Sequence, residues 1–356
     1  MPLQQSLELV KYGLFAIHDT GAPPDKDDYP TLILLHGYAW HTGIFSRMVP
    51  FASKHGIRLV LVNRRDYPGA TPFNNEQLKL LKDASFATPE AADALRSHIR
   101  NIARDLYDFL GIFIAKERPP KTGGITLAAW SFATVFLTAL LAYGSEFPQG
   151  DIDITSYLRG VVNYDPPQHA LGYPPLDDGY NPLFDVELSP GDRAREFALW
   201  VSGYYEHGET SSELNLRHYL SSPHPTLQTM SPEDVQSALY PGPGEPGGSD
   251  FIIMNAGIQH GSHTETRLKA YFLSETSTNK WDNVKLRHVW CDQSVWETPW
   301  SKFCLEKEFE DGKKAGKKIR PYEIVRMHKA NHFIHWDQPE RSLLVLLGDN
   351  EAAEGP

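Results

Sequence analysis

Cysteine is almost missing from this chain: Cys291 and Cys304 are the only two in 356 residues. A fold stapled by several disulfides and a cysteine-rich metal framework are both excluded. Long apolar runs are missing too. No stretch reaches the roughly eighteen apolar residues that a spanning helix needs. The start, MPLQQSLELVKYG, has neither the basic opening nor the apolar stretch of a signal peptide. No Asn-x-Ser/Thr sequon occurs, and the final AAEGP carries no peroxisomal or lipid-anchor signal. These absences point to a cytoplasmic protein without a membrane span. Basic residues are in the minority, 34 Lys and Arg against 45 Asp and Glu, for a net charge of -11. That balance argues against a nucleic-acid partner, because phosphate binding is driven by clustered cations. The small basic cluster Lys313 to Arg320 reads as a solvated loop. Histidine is plentiful, at 15, yet no HxH or HExxH spacing falls on one element, and His260 and His263 sit in a Gly-Ser loop. Neither a metal nor any other cofactor is expected.

What is present reads as alternating strands and helices. Leu7 to His18 form an opening pair of short strands, and Leu32 to His36 and Arg58 to Asn63 (RLVLVN) are buried ones. Thr88-Pro89 caps a long helix whose apolar residues Leu95, Ile99, Ile102, Leu106, Phe109, Leu110 and Phe113 recur at three and four. A strand from Gly124 to Trp130 then runs into a helix from Phe132 to Tyr143 with no turn residue between them. Only a very sharp strand-to-helix turn joins two such elements. Such a turn needs small residues two before and two after its apex, which Ala129 and Ala133 supply, and it exposes the apex side chain, Ser131, above a helix N-terminus. Arg159 to Asp165 (RGVVNYD) is the next strand. This alternation implies an α/β fold with a mostly parallel central sheet flanked by helices.

Two further segments stand in a meaningful order around that serine. Thr31 to Tyr38 (TLILLHGY) is a buried strand ending in His-Gly, and Met327 to Phe333 (MHKANHF) follows the apolar Tyr322 to Val325 and precedes Asp337-Gln338-Pro339-Glu340. His-Gly loop, serine elbow, acid, insertion and late histidine together resemble the α/β-hydrolase superfamily, over residues 8 to 175 and 280 to 350. The resemblance implies a core in two parts, 1–172 and 284–356, with a largely helical cap inserted at 173–283. In that segment Pro, Gly and Ser accumulate, most densely from Tyr240 to Gly248. Helix candidates there are Arg193 to His207, carrying Trp200, Tyr204 and Tyr205, and a shorter one around Leu214 to Leu220.

The resemblance also implies roles. Ser131 is the nucleophile and His332 its base, with His328 and His335 as nearby alternatives. Backbone N–H groups of Tyr38 and Phe132 form the oxyanion hole. The acid has two candidate locations. After the seventh strand, Val284 to Trp290 leads into Cys291-Asp292-Gln293-Ser294, where Ser294 stands at the family's carboxylate position and Asp292 falls two residues early. After the sixth strand stands Asp165, a placement the fungal zearalenone lactonases share. Asp165 is preferred and Asp292 is the alternative. Trp40, His41, Trp130, Trp200 and Tyr204 are candidates for the pocket wall, and their apolar character points to a hydrophobic small-molecule substrate. A serine at the elbow argues against epoxide and haloalkane chemistry, which use an aspartate there. Ester or lactone hydrolysis through an acyl-enzyme is therefore expected. Amide or carbon–carbon bond cleavage, and a non-catalytic ligand-binding relative, are the alternatives. Oligomeric state has no signature in the sequence.

Overall fold

The computed structural model describes residues 7–24 and 26–355, and its strands fall where the apolar runs do. Strands β1 (Leu9–Tyr12) and β2 (Phe15–Asp19) form the opening hairpin, with Leu9 opposite His18. Then come β3 (Thr31–Leu35), β4 (Arg58–Asn63), β5 (Ile125–Trp130), β6 (Leu158–Tyr164), β7 (Leu286–Cys291) and β8 (Tyr322–Met327). They lie in one sheet of 8 strands in the order β1-β2-β4-β3-β5-β6-β7-β8. The pairs β1-β2 and β2-β4 are antiparallel and all the others parallel. This is the α/β-hydrolase architecture.

Parallel neighbours need crossovers, and helices packed on both faces supply them. Alternate side chains of one strand therefore enter different cores. Ile33 and Leu35 pack with the helices Pro89–Glu117, Thr134–Tyr143 and Glu297–Lys314, whereas Leu32 and Leu34 pack with Thr42–Met48, Val49–His55 and Pro339–Leu346. Each such leucine or isoleucine removed from water contributes about 1.5–3 kcal/mol. The long helix begins as the sequence implies, with the Thr88 side chain accepting from Ala91 N and Pro89 in the first turn. Every apolar residue named for it above is buried.

Between β6 and β7 the chain is less regular. The helix expected at Arg193 to His207 spans Pro190–Val201 instead. At its end the Ser202 N–H bonds Trp200 O instead of continuing the helical ladder, the Ser202 hydroxyl takes the Ala198 carbonyl at 2.8 Å, and Gly203 follows. Leu214 to Leu220 is not helical. The Asn215 side chain accepts from the backbone of Arg217 and His218 and so closes a turn in place of a helical rung. Later in this segment the helices Ser249–Gln259 and Ser262–Tyr271 carry Ile253, Ala256, Ala270 and Tyr271 into the main core. The basic cluster divides as well. Lys313, Lys314 and Lys317 are exposed, but Arg320 is buried and donates to the carbonyls of Ala270, Trp281 and Val284. Among the described residues no helix is long and apolar enough to cross a membrane.

Candidate active site

Ser131 stands at the carboxyl end of β5, a central strand of the sheet, at the apex of a one-residue turn. Its φ of 58° is left-handed, a conformation that costs a non-glycine residue about 1–3 kcal/mol and persists only where the surroundings impose it. The surroundings here are a tight steric cage. Ala129 and Ala133 are fully buried on either side, and a Cβ added to Gly37 would lie 3.0 Å from the Ser131 Cβ and 3.1 Å from the Trp130 ring. A single helical turn, Ser131–Ala133, leads into the helix Thr134–Tyr143. The N–H of Phe132 is thus one of the first-turn donors that no helical carbonyl can reach.

Three residues from distant parts of the chain meet at this apex. His332, in the loop after β8, lies with Nε2 2.9 Å from Ser131 Oγ and Nδ1 2.6 Å from Asp165 Oδ2. A carboxylate only accepts, so Nδ1 carries the proton and Nε2 is left to accept from the serine hydroxyl. Asp165 directly follows β6, has a left-handed φ of 48° and is fully buried. Its charge is met by donors. Cys291 N reaches Oδ1 at 2.9 Å, and Ser294 Oγ and His332 Nδ1 reach Oδ2 at 2.7 and 2.6 Å. Serine hydroxyl, imidazole and carboxylate thus form one buried hydrogen-bonded chain. Burial also pushes the Cys291 thiol well above its usual range, so it stays protonated and inert beside this carboxylate.

The structure does not bring Asp292 to this chain. Its carboxylate pairs with Arg326 Nε and His328 Nδ1, each at 3.1 Å. It lines a separate cleft of about 210 Å³ with Glu209, Lys302 and Arg326, whose walls include neither Ser131 nor His332. His328 is taken up by Asp292. His335 is buried against Trp130, with ring centroids 4.5 Å apart, and burial holds its imidazole well below the usual range, hence neutral.

The oxyanion-loop candidate runs from His36 to His41. His36 is fully buried. Its Nε2 accepts from Arg64 N at 3.1 Å, so Nδ1 holds the hydrogen and donates to Gly37 O at 3.0 Å. Arg64, Tyr67 and Asp250 surround the same loop; sequence reasoning passed over Asp250 because it lies 186 residues from Arg64. Asn331 fixes the histidine loop. Its Nδ2 donates to Ser202 O at 2.7 Å and Thr226 Oγ1 at 2.8 Å, and its Oδ1 accepts from Phe333 N at 3.0 Å.

The residues nominated for the pocket wall have defined places. Trp130 lies beneath the histidine, its Nε1 donating to His332 O at 3.0 Å. Trp40 packs edge-on to Phe333 with centroids 5.4 Å apart, and His41 accepts from Gly43 N through Nδ1 at 3.2 Å. Trp200 is fully buried with Tyr205, Val295 and Trp296, and the Tyr204 hydroxyl donates to Asp337 Oδ2 at 2.6 Å. Tyr38 and Phe132 meet edge-to-face at 5.7 Å beside the serine. Among the described residues no group of three or more His, Cys, Asp or Glu side chains could hold a metal ion.

Comparison with protein-family models gives no match for this chain. No curated protein is similar enough in sequence to be matched. Solved structures of similar overall shape include an epoxide hydrolase variant from Solanum tuberosum, with 12% identity, a TM-score of 0.46 and coverage of 96% of this chain and 98% of that one. The haloalkane dehalogenase DatA from Agrobacterium tumefaciens has 15% identity, a TM-score of 0.47 and coverage of 95% and 94%. Epoxide hydrolase A from Mycobacterium thermoresistibile has 13% identity, a TM-score of 0.49 and coverage of 100% and 99%. The assignment to the α/β-hydrolase fold rests on this chain's own strand order and serine elbow.

Proposed function

We propose that this protein is a serine hydrolase that cleaves an ester or lactone of a hydrophobic small molecule through an acyl-enzyme. One observation carries the reading: the continuous hydrogen-bonded chain from Ser131 Oγ through His332 to Asp165, at 2.9 and 2.6 Å, beneath a left-handed elbow. A serine hydroxyl attacks a carbonyl only if a base takes its proton during the attack. His332 is that base, and Asp165 holds its tautomer and stabilises the imidazolium that forms. As Oγ bonds to the acyl carbon, charge moves to the carbonyl oxygen, which the N–H groups of Phe132 and Tyr38 receive. His332 returns the proton to the departing alcohol. Water, activated by the same imidazole, then releases the acid and frees the serine. In a lactone the alcohol and acid are parts of one product.

Aromatic side chains next to Ser131, Tyr38 and Phe132 with Trp40 and Phe333 beyond, support an apolar substrate. The residues between β6 and β7 would act as its cap. The test is hydrolysis of p-nitrophenyl esters of increasing acyl length, with fluorophosphonate labelling, by wild type and Ser131→Ala. Turnover and labelling that both vanish in the variant are expected. A wild type that neither turns over any ester nor labels would instead indicate a ligand-binding relative, and activity surviving in Ser131→Ala would refute the nucleophile.

A further inference from the structure

We propose that Arg64, Tyr67 and Asp250 are positioning residues that aim the Tyr38 N–H at the oxyanion, the aim being set from the segment between β6 and β7. This inference rests on the serine-hydrolase reading of the site.

A peptide unit is planar and trans, so its carbonyl oxygen and N–H point in opposite directions. Gly37 O and Tyr38 N–H belong to one such unit. Whatever grips the oxygen therefore fixes where the hydrogen points. Arg64 grips it: Nη2 donates to Gly37 O at 3.0 Å while Nε donates to His36 O at 3.1 Å. Two consecutive carbonyls are held by one rigid fork, which prevents either peptide from rotating alone. The next residue, Ala39, has a left-handed φ of 62°, unusual for a residue with a Cβ. It is held there from both sides. Its N–H donates to Tyr67 Oη at 3.1 Å, and its carbonyl accepts from Tyr240 N at 2.7 Å.

The guanidinium needs a counter-charge, since Arg64 is 1% exposed and an unpaired buried cation is very costly. Asp250 supplies it. Oδ1 and Oδ2 accept from Nη1 and Nη2 at 2.8 and 2.6 Å, and Oδ2 also accepts from Tyr67 Oη at 2.7 Å. Burial pushes the Tyr67 phenol well above its usual range, so it remains a neutral donor. Asp250 opens the helix Ser249–Gln259. The chain just before it also docks on the loop: His41 N donates to Ala238 O at 2.9 Å, and the Tyr38 hydroxyl donates to Gly244 O. Residues 238–250 and the oxyanion loop are thus one unit. A displacement of that segment would rotate the Gly37–Tyr38 peptide and withdraw the donor.

A purely structural ion pair makes a different prediction, because replacing a buried pair with apolar residues of similar size is often neutral for stability. The experiment compares Arg64→Lys, Tyr67→Phe and the double variant Arg64→Met/Asp250→Leu. It reads kcat and KM on p-nitrophenyl butyrate, the melting temperature, and amide exchange of residues 37–41. Arg64→Lys keeps a charge for Asp250 but loses the fork, and kcat should fall about 100-fold with KM changed by less than about 3-fold. Tyr67→Phe should fall about 10-fold. In the double variant the fold should survive while kcat remains at least about 100-fold down. Wild-type turnover in the double variant, or in Arg64→Lys, would overturn the proposal. If the wild type hydrolyses no ester, the serine-hydrolase reading fails on its own, and exchange decides the rest. Faster exchange at 37–41 in Arg64→Lys, with the β5 amides unchanged, supports the clamp, and unchanged exchange at 37–41 refutes it.

Discussion

Replacing Asp165 by asparagine changes one oxygen to an amide and nothing in volume, yet the structure leaves the amide no acceptable orientation. With its oxygen toward Cys291 N, the NH₂ faces His332 Nδ1 and Ser294 Oγ, which both donate to the carboxylate in the native protein. His332 must then give up the Nδ1 hydrogen and carry it on Nε2, where it points at Ser131 Oγ. A protonated Nε2 cannot accept the serine proton. With the amide reversed, the NH₂ meets the Cys291 N–H at a site with 0% exposure, and an unpaired buried donor costs about 1–3 kcal/mol. The first orientation is favoured, and the loss is that of a wrong tautomer: about 10⁴-fold in kcat, or ~5.5 kcal/mol at 1.36 kcal/mol per decade. The assay is steady-state hydrolysis of p-nitrophenyl butyrate by wild type, Asp165→Asn and Asp292→Asn, each checked for folding by thermal melting. Asp292→Asn should stay within about 3-fold of wild type, since the Arg326 and His328 pairs it loses are partly exposed and worth little. A folded Asp165→Asn within about tenfold of wild type, or a collapse confined to Asp292→Asn, would refute the assignment of the acid.

The remaining predictions are read with the same protein. Ser294→Ala removes the 2.7 Å donor to Asp165 Oδ2; a charge-assisted bond is worth roughly 1.5–3 kcal/mol, so kcat should drop about tenfold or more, and an unchanged kcat would mean the bond is incidental. Gly37→Ala places a methyl 3.0 Å from Ser131 Cβ. It should slow fluorophosphonate labelling by more than about tenfold, and labelling at the wild-type rate would show that the loop yields. Acid should destabilise the fold through its buried histidines, by more than it is restored through the buried Glu297, whose carboxyl burial pushes up to about 7. The buried, neutral His98 and His288 have pKa values lowered to about 3 and about 4 by burial, so below about pH 6.5 the unfolded chain binds protons that the folded chain cannot. Their contribution is complete above that pH and is lost as pH falls toward the folded values, about 2 kcal/mol each by pH 5. Calorimetry at pH 7.5, 6 and 5 should record a falling Tm, and a flat Tm over that range would refute the argument.

The sheet was largely legible because a buried parallel strand is written in consecutive residues: TLILL and RLVLVN need no distant information to be read. The elbow was legible for the same reason, since its small residues stand two positions away. The segment between β6 and β7 was not. Helix Pro190–Val201 stops short of the expected end at a serine and a glycine, and Asn215 closes a local turn where a short helix was expected. Asp250 was unreadable in another way, because nothing in SDFIIMN says that its carboxylate meets an arginine from the end of β4.

The position of the acid joins the two kinds of information. Strands β6 and β7 are parallel neighbours, with Tyr164 opposite Val289. Their carboxyl ends therefore lie about 4.8 Å apart, and a carboxylate on either can approach one imidazole. In this chain the serine at the seventh-strand position donates to the carboxylate on the sixth. A hydroxyl there completes the hydrogen bonding of the Asp165 carboxylate, while Asp292, two residues earlier, pairs with Arg326 and His328. The side chain at 294 is thus part of the acid's environment, which makes a second exchange testable. Asp165→Ser combined with Ser294→Asp should place the carboxylate on the seventh strand and recover more of kcat than Asp165→Ser alone retains. Recovery of about tenfold or more would establish that the two strand ends are interchangeable supports for one histidine. Failure with the fold intact would mean that the left-handed backbone at Asp165 and the Cys291 N–H are needed as well.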